Sequence, residues 1–186
     1  SGTATITGLP ENTTYTVYVT DGDGNKSTTK TIKTSDLVYN IDNTAWTTTF
    51  KRAITKASSG STIKMLQDSG NATDGNDGGA WIDKNLTFDM NDKNFSRNML
   101  IGVSSGVRGT IKSGSISGTG SKYNAIVNNG TLTLTSVEII NPGNRTSSGV
   151  ALVDNFGTMT INGGTYSSIG NTVCNNGTLT VQSSTI

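Results

Sequence analysis

Asn128-Asn129-Gly130-Thr131-Leu132-Thr133-Leu134 returns as Asn155-Phe156-Gly157-Thr158-Met159-Thr160-Ile161 and again as Asn175-Asn176-Gly177-Thr178-Leu179-Thr180-Val181. The glycines lie 27 and then 20 residues apart (157 − 130 and 177 − 157). A strand phrase recurring every twenty-odd residues marks a solenoid: one unit cannot bury its apolar face alone, and stacked units share a continuous core. Side chains alternate along a strand. Leu132/Leu134, Met159/Ile161 and Leu179/Val181 are therefore predicted to point inward, and the threonines between them outward. Aligning on glycine also places Asn128, Asn155 and Asn175 in one file, as a ladder at a coil corner. It puts Cys174 beside Val127 and Asp154, one position from an inward Ile126/Val153/Val173 file.

Looser echoes lie upstream: Thr62-Ile63-Lys64-Met65-Leu66, Leu86-Thr87-Phe88-Asp89-Met90 and Gly109-Thr110-Ile111-Lys112. On this alignment Lys112 heads the outward threonine files. Leucine-rich repeats have a similar period, but their L-x-x-L-x-L-x-x-N phrase is missing and no helix separates the coils. An all-β solenoid is expected over 61–186.

Composition agrees. Only 32% of residues are hydrophobic, thin for one globular core, and the 23 glycines punctuate alternating runs instead of scattering as in a disordered chain. Fourteen basic and 13 acidic residues give a net charge of +1 without a basic run, so neither nucleic acid nor an anionic membrane is an expected partner. No apolar stretch has the length of a membrane-spanning helix. Ser1 opens in a strand-like pattern, so any signal peptide is expected to lie upstream or to have been removed. Cys174 is the single cysteine and can form no internal disulfide.

Ahead of the solenoid, 37–60 is expected to be a linker and a helix. Trp46, Phe50, Ala53, Ile54 and Ala57 recur at helical spacing, predicting a helix over 44–59 that is capped by Asn43 or Thr44 and ended by Ser58-Ser59-Gly60. Such a helix would cover the open end of the first coil and bury Trp46, Phe50 and Ile54 there. Residues 1–36 alternate as strands at Thr3–Thr7, Thr14–Thr20 and Lys30–Lys33, with turns at Gly8–Asn12 and Asp21–Asn25.

Gly8-Leu9-Pro10-Glu11-Asn12-Thr13-Thr14-Tyr15-Thr16-Val17-Tyr18-Val19 resembles the later strands of a fibronectin type III or immunoglobulin-like module. The resemblance implies a tyrosine corner at Leu9 and Tyr15, and covers under half of such a module. The remainder would come from the preceding chain or from another molecule. The helix and solenoid together resemble the pectate-lyase-like right-handed parallel β-helix of bacterial, Gram-positive-type surface adhesins. The phrases carrying that resemblance are Thr62–Asp68, Ile82–Lys93 and Asn128–Thr133. It implies an extracellular location at the bacterial cell surface and a role as a stalk or adhesive module of a multi-domain protein, with a glycan or a surface protein as partner. The alternatives are a polysaccharide lyase or hydrolase, betrayed by converging carboxylates, and a phage or appendage fibre, betrayed by a trimer. Since the chain ends inside a repeat phrase, further coils are expected to follow Ile186.

The side-chain chemistry argues against catalysis. The chain has no histidine and no Asp-Asp pair, and from residue 119 onward its only acids are Glu138 and Asp154. Glycoside hydrolysis needs two carboxylates flanking one bond, about 5–10 Å apart. Asp83, Asp89, Asp92, Lys84, Lys93 and Arg97 come nearest to a lyase set, and a solvated strand face explains them as well. Asp21, Asp23 and Asn25 alternate like the start of a Ca²⁺ loop but lack the later glutamate, favouring a hairpin turn. Asp74 and Asp77 sit in a second glycine-rich loop of the same kind. Apart from Ca²⁺ at those loops, no cofactor is expected. Trp81 and Phe156 are the candidate ligand-binding rings, since an exposed aromatic can stack on a sugar.

Overall fold

A computed structural model describes residues 13–33, 37–69, 79–96, 101–117, 124–141, 151–168 and 170–186. The chain forms two compact units, Ser1–Leu37 and Val38–Ile186. In the first, strands β1 (Thr14–Val17) and β2 (Lys30–Lys33) pair antiparallel, with Tyr15 opposite Ile32. A bridge between Thr20 and Lys26 closes the turn region between them. Leu9 and the Thr3–Thr7 strand expected from sequence lie outside the described residues.

The second unit opens with a hairpin. β3 (Tyr39–Ile41) turns through Asp42 and Asn43, both left-handed at φ 49° and 57°, into β4 (Ala45–Thr47). This corrects the helix expected over 44–59: helix α1 spans only Phe50–Lys56 and is capped by Thr49, whose hydroxyl accepts from the Arg52 amide. Two left-handed residues and the run Thr44-Ala45-Trp46-Thr47-Thr48-Thr49 explain the difference. Branched threonines lose side-chain freedom in a helix and suit a strand, so the helical spacing of Trp46 and Phe50 is fortuitous. Trp46 is half-buried in a strand, not in a helix core. Phe50 does reach the interior, with its ring centroid 4.3 Å from Phe88, 5.3 Å from Phe95 and 5.6 Å from Tyr39.

The rest is a β-solenoid of about four turns. β5 (Thr62–Met65) pairs antiparallel with β3 and parallel with the first long strand. Each following coil contributes one short and one long strand: β6 (Ala80–Ile82) and β7 (Leu86–Ser96), β8 (Ile101–Val103) and β9 (Arg108–Ser117), β10 (Ile126–Asn128) and β11 (Thr131–Asn141). β12 (Val153–Asn155) and β13 (Thr158–Ser168), then β14 (Val173–Asn175) and β15 (Thr178–Gln182), complete the series. The short strands form a five-stranded parallel sheet, β14-β12-β10-β8-β6. The long ones continue the β4-β3-β5 hairpin layer into an eight-stranded sheet. Each long strand bends where one or two residues turn left-handed: Asn91 and Asp92, then Ser113, Ser136, Gly163 with Gly164, and on the last coil Ser183, just past β15.

Core residues stack coil on coil. Ile63, Phe88, Ile111, Leu134 and Ile161 form one fully buried file, and Phe95, Ile116, Ile139 and Tyr166 form another beyond the bend. Leu132 and Met159 are buried as expected; Leu179 is half-buried and Val181 exposed on the last described coil. The repeat glycines are fixed by close approach: a Cβ on Gly157 would overlap the Gly130 carbonyl oxygen, and one on Gly177 the Gly157 oxygen.

The upstream register differs by two residues from the one expected. Gly109 pairs with Leu132, not with Gly130, and Lys112 pairs with Thr135. The outward file next to the inward leucines is therefore Thr62, Thr87, Thr110, Thr133, Thr160 and Thr180, unbroken across six strands. A two-residue shift keeps every side chain on its own face, and its source is the corner ahead of β9, which holds four residues (104–107) against two (129–130) ahead of β11.

Candidate functional site

The sequence candidates are dispersed. Asp21 spends its carboxylate on its own turn, accepting from the amides of Asp23 (3.0 Å) and Asn25 (2.9 Å) and from the Asn25 side chain (2.9 Å). The Asn25 side-chain bond, with those backbone donors, holds the Asp21 carboxyl below its ordinary value. An acid so engaged closes a hairpin turn. Asp74, Asp77 and Arg97 lie outside the described residues. Among the described residues no three acids or thiols group as metal ligands.

Asp83, Asp89 and Asp92 occupy separate places. Asp83 is exposed in the turn after β6, 3.8 Å from Lys84. Lys84 reaches the other way as well, donating to the carbonyls of Ile54 (3.2 Å) and Ala57 (3.3 Å) at the C-terminal end of α1. Asp89 lies on the outer face of β7, paired with Lys112 at 3.2 Å and accepting from the Asn91 amide at 2.9 Å. Asp92 stands exposed at the left-handed bend. Glu138 is on β11 and Asp154 on β12, in different sheets.

The five-stranded sheet carries a different arrangement on its outer face. The middle residues of its strands pair in one file: Trp81, Gly102, Val127, Asp154 and Cys174. The inward neighbours on either side are buried, including Ala80, Ile82, Ile101, Val103 and Ile126. A Cβ placed on Gly102 would meet Cε3, Cδ2 and Cζ3 of Trp81 at nearly equal distances, all 2.7 Å or less. Equal distances to three consecutive ring atoms put Gly102 beneath the face of the indole, not beyond its edge. The ring thus lies on the backbone of the next coil and stays 40% exposed. Farther along the file the Asn124 amide donates to the Asp154 carboxylate. Phe156, 54% exposed, occupies the corner two residues past Asp154. Cys174 is half-buried, its sulfur 3.6 Å from the Asn176 side-chain nitrogen.

The interior Asn ladder runs beside this face. Asn128 donates to Asn155 (2.7 Å) and to the Thr158 carbonyl (3.0 Å), and Asn155 donates to Asn175 (2.7 Å) and to the Thr178 carbonyl (2.9 Å). These four bonds tie one coil to the next, and Asn128 and Asn175 also bond within their own corners, to the Gly130 amide and the Gly177 carbonyl. Sequence reasoning singled out Trp81 and Phe156 but missed Gly102 and the Asn124–Asp154 contact. Aligning Ala80-Trp81-Ile82 with Ile101-Gly102-Val103 would have exposed the glycine seat.

Compared with protein-family models, with curated proteins and with solved structures, the chain matches none of them.

Proposed function

We propose that this chain is a non-catalytic segment of an extracellular, multi-domain bacterial surface protein, serving as a stalk that also adheres to a glycan. The solenoid is read as a right-handed parallel β-helix of the adhesin type. The observation that carries the reading is the stacking: buried files and a six-membered threonine file pass through successive coils, with one bulge between β7 and β9, and an Asn ladder joins the last three. Such stacking makes a stiff element from short-range contacts alone, without disulfides. Helix α1 is read as the cover of the first coil, in keeping with Phe50 against Phe88 and Phe95 and with Lys84 on its last carbonyls. The β1–β2 hairpin is read as part of a fibronectin type III-like module, since Tyr18, Val19 and Ile32 are exposed and would be covered in a complete one.

Two measurements test the proposal together. Reducing-sugar and unsaturated-product assays over a polysaccharide panel, with and without Ca²⁺, should yield no product. Beads coated with the folded chain should adhere to glycan-coated surfaces more than beads coated with the heat-unfolded chain. Turnover that disappears on changing Asp83, Asp89 or Asp92 would replace the stalk by a polysaccharide lyase or hydrolase.

A further inference from the structure

We infer that the threonine-bearing outer face of the eight-stranded sheet binds the surface of ice. The inference goes beyond the stalk reading and does not depend on it. Three strands carry the centre of this face: Thr131 and Thr133 on β11, Thr158 and Thr160 on β13, Thr178 and Thr180 on β15, paired in register without a bulge. The file through Thr133 continues to Thr110, Thr87 and Thr62. It therefore crosses five strand steps, about 24 Å in all.

Two observations set this array apart from threonines that merely suit a strand. The first is the use of the hydroxyls. Thr44, Thr47 and Thr55 donate theirs to the carbonyls of Ile41, Thr49 and Lys51. Among the described residues, no protein group bonds the hydroxyls of the array. Each keeps one donor and two acceptor positions for water. The second is charge. Thr135, Asn162 and Gln182 are the next outward residues of the same strands, so the outward positions of β11, β13 and β15 ahead of the bend are all neutral. Charged groups begin only at β9, where Arg108 is exposed and Lys112 pairs with Asp89 at 3.2 Å. A charge gives up its hydration shell at high cost, whereas the water over a neutral face is free to join a lattice.

Spacing selects the ligand. Adjacent strands lie about 4.8 Å apart, and alternate residues of one strand about 6.7 Å apart. These two repeats, at right angles, approach those of the oxygen atoms on a prism face of hexagonal ice. Gly130, Gly157 and Gly177, one residue ahead of each threonine row, hold the coils in close approach. Branching at Cβ leaves threonine few side-chain rotamers, so each copy repeats the last. The methyl groups restrict the water above them, and the hydroxyls bridge into that water. The outward positions of these three strands hold no aromatic ring on which a sugar could stack.

The test uses the whole chain, with ice itself as the probe. Ice grown slowly from a dilute solution should take up more of the chain than of an inert protein of the same size. A seed crystal held in the solution should grow faceted, with its freezing point depressed below its melting point. Thr160→Lys and Thr180→Lys, each checked for folding by circular dichroism, should each lose most of that uptake. Trp81→Ala, on the other sheet, should leave it unchanged. Wild type that stays in the liquid like the inert protein overturns the inference. So does a folded Thr160→Lys or Thr180→Lys variant taken up as well as wild type, or a loss of uptake in Trp81→Ala.

Discussion

The side-chain amide of Asn128 sits 2.7 Å from the side-chain oxygen of Asn155 one coil away, in a file that upstream holds Val103 and Ile82. Apolar packing thus gives way to a hydrogen-bonded ladder partway along the same interior line. Asn155→Ala should cost about 2–4 kcal/mol, because Asn128 loses its acceptor while Asn175 and the Thr178 carbonyl lose their donor. Asn175→Ala, at an exposed position, should cost less than about 1 kcal/mol. Urea melts of the two variants against wild type give the comparison, and equal losses would refute a ladder that matters where it is buried.

Two glycines separate crowding from backbone conformation. At Gly157 any Cβ overlaps the Gly130 carbonyl oxygen, so Gly157→Ala should destabilise by about 3 kcal/mol or more as the coils are pushed apart. Gly106 has open space but a φ of +76°, so Gly106→Ala should cost only about 1 kcal/mol. The ordering of the two melts is the measurement, and a reversal would mean that the coils separate easily.

Phe50 is fully buried among Tyr39, Phe88 and Phe95. Phe50→Ala should lose roughly 3–5 kcal/mol. Trp46→Ala, on the half-buried hairpin strand, should lose about 1–2 kcal/mol. A Phe50→Ala change near zero in denaturant melts would show that α1 is not anchored through this ring.

Asp21 gives the first unit a pH dependence of known sign. Its carboxyl is held below the ordinary 3.8, first by the Asn25 side chain and then by backbone amides. A depressed value means that the turn's stabilisation is fully present above pH 3.8 and is lost as pH falls through the lower folded value. The Asp23 and Asn25 amide resonances should move with a midpoint below 3.8, and Asp21→Asn should abolish that movement. A midpoint at or above 3.8 would contradict the turn geometry.

The last three coils were legible because the letters themselves repeat: Asn and Gly at one corner, then threonines alternating with aliphatics. The coil before them was not, because Gly109-Thr110 imitates Gly130-Thr131 while the corner ahead of β9 is two residues longer than the one ahead of β11, which sets Ile111 opposite Leu134. Ile111 points inward in either register, so alternation could not separate the two, and the length of the corner decided. The bends at Ser113 and Ser136 left no trace, since serine seldom adopts a left-handed φ and does so here under the constraint of stacked neighbours. At the candidate site an exposed ring was readable from Trp81 and its neighbours. Its seat was not, because Gly102 lies in another coil and gains meaning only from pairing.

The unequal spacing of the last three repeats, 27 and then 20 residues, has a single source. From short strand to long strand the last three coils use two residues, at 129–130, 156–157 and 176–177, where the earlier ones use three (83–85) and four (104–107). From long strand back to the next short one they use four (97–100), eight (118–125), eleven (142–152) and four again (169–172). The larger differences in length, from four to eleven residues, therefore fall along one seam, while the ladder and the Trp81 file keep their registers. A lineage can lengthen, shorten or replace the segments of that seam one coil at a time, and selection on them acts almost independently of selection on the core.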